Sequence, residues 1–257
     1  MSQDGDDFAD EAGTLLDDGR FEAALAVSRR GLLHFPDDPE LRFLEATALR
    51  ELGHYPIARE LLEKLKEDAL FATDPDFLSE LTCVYLNLGK KKAALDCAKA
   101  ILRLPDPGRD SLLWLSGLLH DHNADAEAAL CAARAIKLAP GDSGGWRALA
   151  LATFSLGRLP AAGYCCGRAL KNDPEDIFTL DLLGAVHFDS SRPEDAKAAW
   201  GRIPIDRHFD PATLVAWRSL LGSSDPKAKE IRERWSALRK LDESEDPIRA
   251  IRRKGSL

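Results

Sequence analysis

The sequence predicts an all-α solenoid built from a helix-turn-helix unit of 34 residues, and three in-phase patterns carry that prediction. Alanine occupies position 20 of six successive units, as Ala24, Ala58, Ala94, Ala128, Ala162 and Ala196. Position 8 is small throughout: Ala12, Ala46, Thr82, Ser116, Ala150 and Gly184. Position 15 reads Gly19, Gly53, Gly89, Asn123, Gly157 and Ser191. A fixed period of this length marks an architecture in which each unit buries its apolar face against the next. Positions 8 and 20 should face each other where the two helices of a unit cross, since only small side chains let the backbones approach. Gly or Asn at position 15 suits a turn that must visit φ > 0.

The units run 5–38, 39–74, 75–108, 109–142, 143–176 and 177–210. The fifth shows the pattern most completely. Trp146, Leu149 and Ala150 mark its first helix and Leu156-Gly157 ends it. Ala162, Cys166, Ala169 and Leu170 mark its second helix, which Asp173-Pro174 stops. The step from the second unit to the third is 36 residues, which places a two-residue insertion in KEDALFATDP and predicts a local irregularity, with a bend, there. After Ile203-Pro204 the phase decays. Residues 211–242 read as a degenerate seventh repeat: a first helix in DPATLVAWRSLLG, then a capping helix in SDPKAKEIRERWSALRKL. The second of these carries Ile231, Trp235, Leu238 and Leu241 on one face and Lys, Arg and Glu on the other, as the open end of a stack requires. Residues 243–257 lack a core-forming pattern and are expected to be a flexible basic tail with Arg249, Arg252, Arg253 and Lys254.

The phased set resembles the tetratricopeptide repeat family, whose pattern is a Trp-Leu-Gly-Tyr helix, an Ala-aromatic-Ala helix and a closing Pro. It is matched by Trp146, Leu149, Ala150 and Gly157 followed by Ala162, Ala169 and Pro174. Leu183-Gly184 with Ala196, Phe21-Ala24 with Pro36, Tyr55-Ala58, and Ala128 and Ala135 with Pro140 extend the match over residues 5–210. Glu11 and Glu45 depart from it at position 7, where the family prefers Leu, and Leu70 and Asp106 replace closing prolines. The resemblance implies a right-handed superhelix whose concave face is lined by positions 2, 5, 9, 12 and 13. Here those positions hold Phe43, Thr47, Arg50, Cys83, Leu86, Asn87, Leu113, His120, Arg147, Leu151, Phe154, Phe178, Asp181 and Phe188, with Trp114 at the edge. Leu151, Phe154, Phe178 and Phe188 fall in the last two units and suggest an anchor pocket, though part of the set is expected to pack between repeats instead. The subclass that clamps acidic C-termini needs regular inward Lys and Asn. Only Arg50, Asn87 and Arg147 are present, so that subclass is not expected.

Composition narrows the function classes. With 45% hydrophobic and 30% charged residues the chain is an ordinary folded protein. A net charge of −8 argues against nucleic acid, and no apolar run is long enough to span a membrane. The acidic N-terminus carries no leader pattern, so a cytoplasmic location is expected. Cys97, Cys131 and Cys165 are one repeat apart, about 10 Å given helix-packing distances, and are expected to be small apolar helix residues rather than disulfides or metal ligands. His120 and His122 flank Asp121 with Asp125 nearby, but residues two apart on a helix point to different faces, so a polar helix end is expected there. His187 at position 11 is expected to be a packed imidazole. No nucleophile–base motif, phosphate loop or dinucleotide fingerprint occurs, so neither catalysis nor a cofactor is expected. The expectation is a protein or peptide binder, an adaptor or chaperone-like scaffold. Apolar anchors in the groove would give its affinity, with Arg50, Asn87, Arg147 and Asp181 setting orientation. The alternative is a self-associating scaffold in which the tail or an end helix fills a neighbour's groove.

Overall fold

The computed structural model describes residues 5–68, 71–208, 210–222 and 225–244, the last four of these by backbone alone. The basic tail, Leu70 and the Leu241 side chain lie outside the described residues. Among the described residues there are fourteen α-helices and no strand. The chain falls into two compact units, residues 1–111 and 112–257.

Unit 1 holds α1 (Gly5–Asp17), α2 (Phe21–His34), α3 (Pro39–Glu51), α4 (Tyr55–Leu65), α5 (Pro75–Asn87), α6 (Lys91–Ile101) and the first residues of α7 (Arg109–Asp121). Unit 2 holds the rest of α7, α8 (Asp125–Leu138), α9 (Ser143–Ser155), α10 (Leu159–Asn172), α11 (Ile177–Asp189), α12 (Pro193–Trp200), a short 3-10 turn at Ile205–Arg207, α13 (Pro211–Ser219) and α14 (Pro226–Ser244). In unit 1 helices α1 to α6 pack each on the next in sequence, in unit 2 helices α8 to α14 do the same, and side-chain bonds join α7 to α8. First helices of successive pairs also touch, as α1–α3 and α3–α5, then α9–α11 and α11–α13. This is a solenoid of helix-turn-helix repeats.

Two local devices fix the hairpins. Five first helices begin behind an aspartate. Asp38, Asp74, Asp142, Asp176 and Asp210 each accept backbone N–H groups from the opening turn of α3, α5, α9, α11 and α13. Second helices lack such a side-chain cap and enter instead from a left-handed residue at position 15. There the N–H of the left-handed residue reaches back three residues and the next N–H reaches back five, as Gly157 to Phe154 and Arg158 to Thr153. These bonds close the preceding helix as a Schellman motif. Asn123 and Ser191 adopt the same conformation, with φ of 55° and 57°, against the preference of a residue that has a Cβ.

The crossing within each pair is close. All six position-20 alanines are fully buried, and the Ser116 Oγ donates across the crossing to the Ala128 carbonyl at 2.9 Å. At Gly184 the crossing leaves no room for a side chain, because a Cβ there would lie 2.2 Å from the Trp200 Nε1. Glu11 and Glu45 are not idle departures: they pair with Arg30 and Arg29 at 2.9 and 2.8 Å, strapping α2 to the helices on either side. The insertion after α4 lies within unit 1 and delivers Phe71 to a cluster with Phe43 and Phe77, at ring separations of 5.0–5.8 Å. At the other end, Leu180, Trp200, Leu214, Trp217 and Ile231 form one buried cluster, with Trp235 and Leu238 packed against it. The outer face of α14 exposes Lys229, Glu230, Arg232 and Glu233, so α14 closes the stack with a polar surface.

Candidate functional site

In unit 1 the inward-position residues are largely engaged in structure. Phe43 belongs to the three-ring cluster. Cys83 and Leu86 are buried. Arg50 clamps Glu80 through two bonds of 2.5 and 3.0 Å and also pairs with Glu51 at 2.8 Å. The Asn87 Nδ2 donates to the Cys83 carbonyl at 2.9 Å, and the Thr47 Oγ1 is buried with no hydrogen-bond partner.

In unit 2 the same positions open onto two adjoining cavities. The first, about 410 Å³, lies between α7, α9 and the start of α11 and is lined by Leu113, Ser116, Gly117, His120, Gly144, Arg147, Ala148, Leu151 and Phe178. The second, about 460 Å³, lies between α9, α11 and the start of α13 and is lined by Leu151, Phe154, Ser155, Phe178, Asp181, Leu182, Ala185, Asp210, Pro211 and Thr213. Both volumes are in the range of ligand clefts. Leu151 and Phe178 border both cavities and form the ridge between them. These two side chains and Phe154 are half-buried and pack against the buried cluster of Ala150, Cys165, Cys166 and Leu182. Phe188 lines neither cavity; its ring packs 6.0 Å from that of Trp200. Trp114 is exposed, 43% accessible, and lines neither cavity as well.

The two cavities differ in charge. Arg147 borders the first with its side chain 47% exposed, 3.5 Å from Asp176 and with its guanidinium 5.8 Å from the centre of the Phe178 ring. His120 is held by Asp125 through Nδ1 at 2.6 Å, an interaction that ties the end of α7 to the start of α8. Among the described residues no group of three or more His, Cys, Asp or Glu is arranged to hold a metal. Asp181 and Asp210 border the second cavity. The Thr213 hydroxyl stands between them, 3.2 Å from the Asp181 Oδ2 and 3.1 Å from the Asp210 Oδ2. Burial, with the neighbouring Asp210 carboxylate, pushes the Asp181 carboxyl up to about 6. His208 sits behind it, 1% exposed, with Nδ1 3.8 Å from the Asp181 Oδ1. Burial lowers its pKa, so the imidazole is neutral near pH 7. Half-buried His187 is lowered in the same way.

Asp210, Thr213 and Pro211 are site residues that the repeat phase misses, because they belong to the degenerate seventh pair. Their signal was the Asp-Pro helix start, the same one that opens α3 and α5. The five thiols are free and buried, and burial raises all of them, Cys131 and Cys166 to about 12, which leaves them poor nucleophiles.

Two sequence profiles, each described as Tetratricopeptide repeat, match residues 15–79 and 81–143. Among solved structures, a tetratricopeptide repeat protein from Parabacteroides merdae aligns over 99% of both chains with a TM-score of 0.66 at 13% identity. The C-terminal part of a repeat-containing protein from Cytophaga hutchinsonii aligns over 95% of this chain and 98% of its own, with a TM-score of 0.65 at 13% identity. YrrB, described as having an unusual peptide-binding site, aligns over 80% of this chain and 96% of its own, with a TM-score of 0.51 at 15% identity. These likenesses concern the fold. No curated protein is a significant match to the sequence.

Proposed function

Because this chain belongs to the tetratricopeptide repeat proteins, a family of protein-interaction scaffolds, we propose that it is an adaptor or chaperone-like module that holds a peptide segment of a partner across the two cavities of unit 2. The observation that carries this reading is the Leu151–Phe178 ridge, with Phe154 beside it, half-exposed between two open cavities. Half-buried aromatic side chains packed against a core are suited to be anchors, since they gain apolar burial on binding and lose little side-chain freedom. Positively and negatively charged groups at the cavity borders would then set the orientation of the segment. YrrB supports the reading by analogy of fold and by its described peptide site. Hydrophobic anchoring on this ridge, rather than catalysis, is the role assigned to the site. The buried free thiols favour a reducing compartment, in keeping with a cytoplasmic location.

The test is a phage-displayed random-peptide selection on the intact protein, with affinities measured by fluorescence anisotropy. Peptides selected on the wild type should bind the Phe154→Ala/Phe178→Ala variant at least about tenfold more weakly, while circular dichroism shows the helices intact. Equal affinity for the two proteins would overturn the assignment of the ridge. Light scattering on the same samples addresses the self-associating alternative: an oligomer that dissociates in the double variant would favour it.

A further inference from the structure

The two cavities carry opposite charge at opposite sides of one apolar ridge. On one side stands Arg147, nearly half exposed and only loosely paired at 3.5 Å with Asp176. On the other stand Asp181 and Asp210, whose hydrogen bonds come from the Thr213 hydroxyl and from backbone N–H groups of α13. No lysine or arginine lines that second cavity. The Asp181 Oδ1 is buried and has no hydrogen-bond partner, and no cationic side chain pairs with this carboxylate while His208 is neutral. An occupant that is merely apolar would cover the ridge but leave Arg147 and the two carboxylates desolvated and unmatched, which is costly. An occupant with one charge sign would match one side and be repelled at the other.

We infer that the occupant is a peptide segment of a partner protein that carries an acidic side chain, an apolar residue and a basic side chain in spatial order, so that they meet Arg147, the Leu151–Phe178 ridge, and Asp181 with Asp210. This deepens the peptide-binding reading above and rests on it. The basic side chain lays its methylenes on Phe154 and places its charge at the carboxylates, as long cationic side chains do on apolar surface. The acidic side chain takes the exposed face of the Arg147 guanidinium, whose other face is turned to the Phe178 ring. Charge order then decides which partner binds and in which direction, and the ridge supplies the affinity.

Five fluorescein-labelled synthetic peptides of equal length test this, all with the same central Leu-Phe-Leu. Their flanks carry Glu then Lys, Lys then Glu, Glu twice, Lys twice, or Gln twice. One of the two bipolar peptides should bind the intact protein about tenfold more tightly than the three others of uniform flanks. Arg147→Gln should abolish the preference for its Glu alone, and Asp181→Asn the preference for its Lys alone. If uniform and bipolar peptides bind equally, or if the preference survives both substitutions, the inference is overturned. Equal binding that is still lost in the Phe154→Ala/Phe178→Ala variant would sink the charge order and leave the peptide-binding reading standing. Binding by none of the five, or binding indifferent to that double variant, would overturn both. Peptide affinity that falls as protein concentration rises, with a growing oligomer in light scattering, would assign the groove to a second copy and overturn the partner peptide.

Discussion

At Gly184 one missing carbon decides how closely α11 and α12 approach. A Cβ there would lie 2.2–2.5 Å from three atoms of the Trp200 indole, a fully buried ring that cannot move aside cheaply. Gly184→Ala is therefore expected to destabilise by ~1–3 kcal/mol, measured by urea unfolding. Gly167, inside α10 with no atom within 4 Å of a built Cβ, is the control: Gly167→Ala should stabilise by ~0.5–1 kcal/mol. The sequence places both glycines in helices, and the phase assigns Gly184 to a crossing, but the indole that makes the crossing strict was not legible. Trp200 lies outside the phased positions, and nothing in a 34-residue pattern says which ring fills the space that a glycine leaves.

Asp181 is the second residue of consequence. Its carboxyl titrates near 6 when folded, above the ordinary carboxylate value of 3.8. A folded state with the higher pKa binds more protons, so this group favours the fold at low pH, and that contribution is lost as pH rises from about 4 through about 6. Around it stand Asp210 and the neutral His208, whose carbonyl takes two bonds from Arg234 of α14. Because the pKa of His208 is lowered, its contribution has the opposite sign: present above the unfolded value of 6.5 and lost as pH falls below it. Asp181→Asn keeps an acceptor for the Thr213 hydroxyl and removes the charge. It should raise stability at pH 7 by ~1–2 kcal/mol and flatten the change between pH 4 and 6, followed by thermal unfolding across that range. A variant no more stable than wild type at pH 7 would show that Asp181 is solvated or compensated.

At the scale of the element, the α3–α4, α5–α6, α9–α10 and α11–α12 hairpins are each set by an aspartate in front of the first helix and a left-handed residue in front of the second. Asp142→Ala removes the acceptor of the Gly145 N–H and should cost ~1 kcal/mol in urea unfolding. Ser191→Gly should instead stabilise by ~1 kcal/mol, since serine holds φ 57° against its own Cβ. The turns were legible because Gly and Asn recur at one phase. Ser191 shows why phase carries more than residue type: serine by itself is no signal for that conformation, yet the repeat puts it there. Helix-facing position is a weaker guide to exposure. Leu86 and Leu151 stand at groove positions by the same rule, yet Leu86 is 6% exposed in unit 1, whereas Leu151 borders both cavities of unit 2. Position within one helix does not encode that difference. Phe71 is an instance of the same limit: the insertion was visible as a break of period, but not the ring it brings to Phe43 and Phe77.

At the scale of the molecule, unit 2 combines a closed end with an open pair of cavities. Its buried tryptophans, Trp200 and Trp217, and the apolar face of α14 build the terminal core, and Trp200 ties this core to α11 by donating from Nε1 to the Asp181 carbonyl at 3.1 Å. The cavity wall thus stands on a buried core, and an occupant would meet a preorganised surface. No helix among the described residues is long and apolar enough to cross a membrane. Central to the proposed function is the holding of a peptide segment across the two cavities of unit 2. Hydrogen exchange read by mass spectrometry, on the intact protein with and without a saturating peptide selected on it, tests that central claim most directly. Added protection in α7, α9, the N-terminal half of α11 and the start of α13, absent from α2, α4 and α6, is the predicted result. Protection spread over the second helices, with α9 and α11 unchanged, would contradict it and move the binding surface to another face of the solenoid.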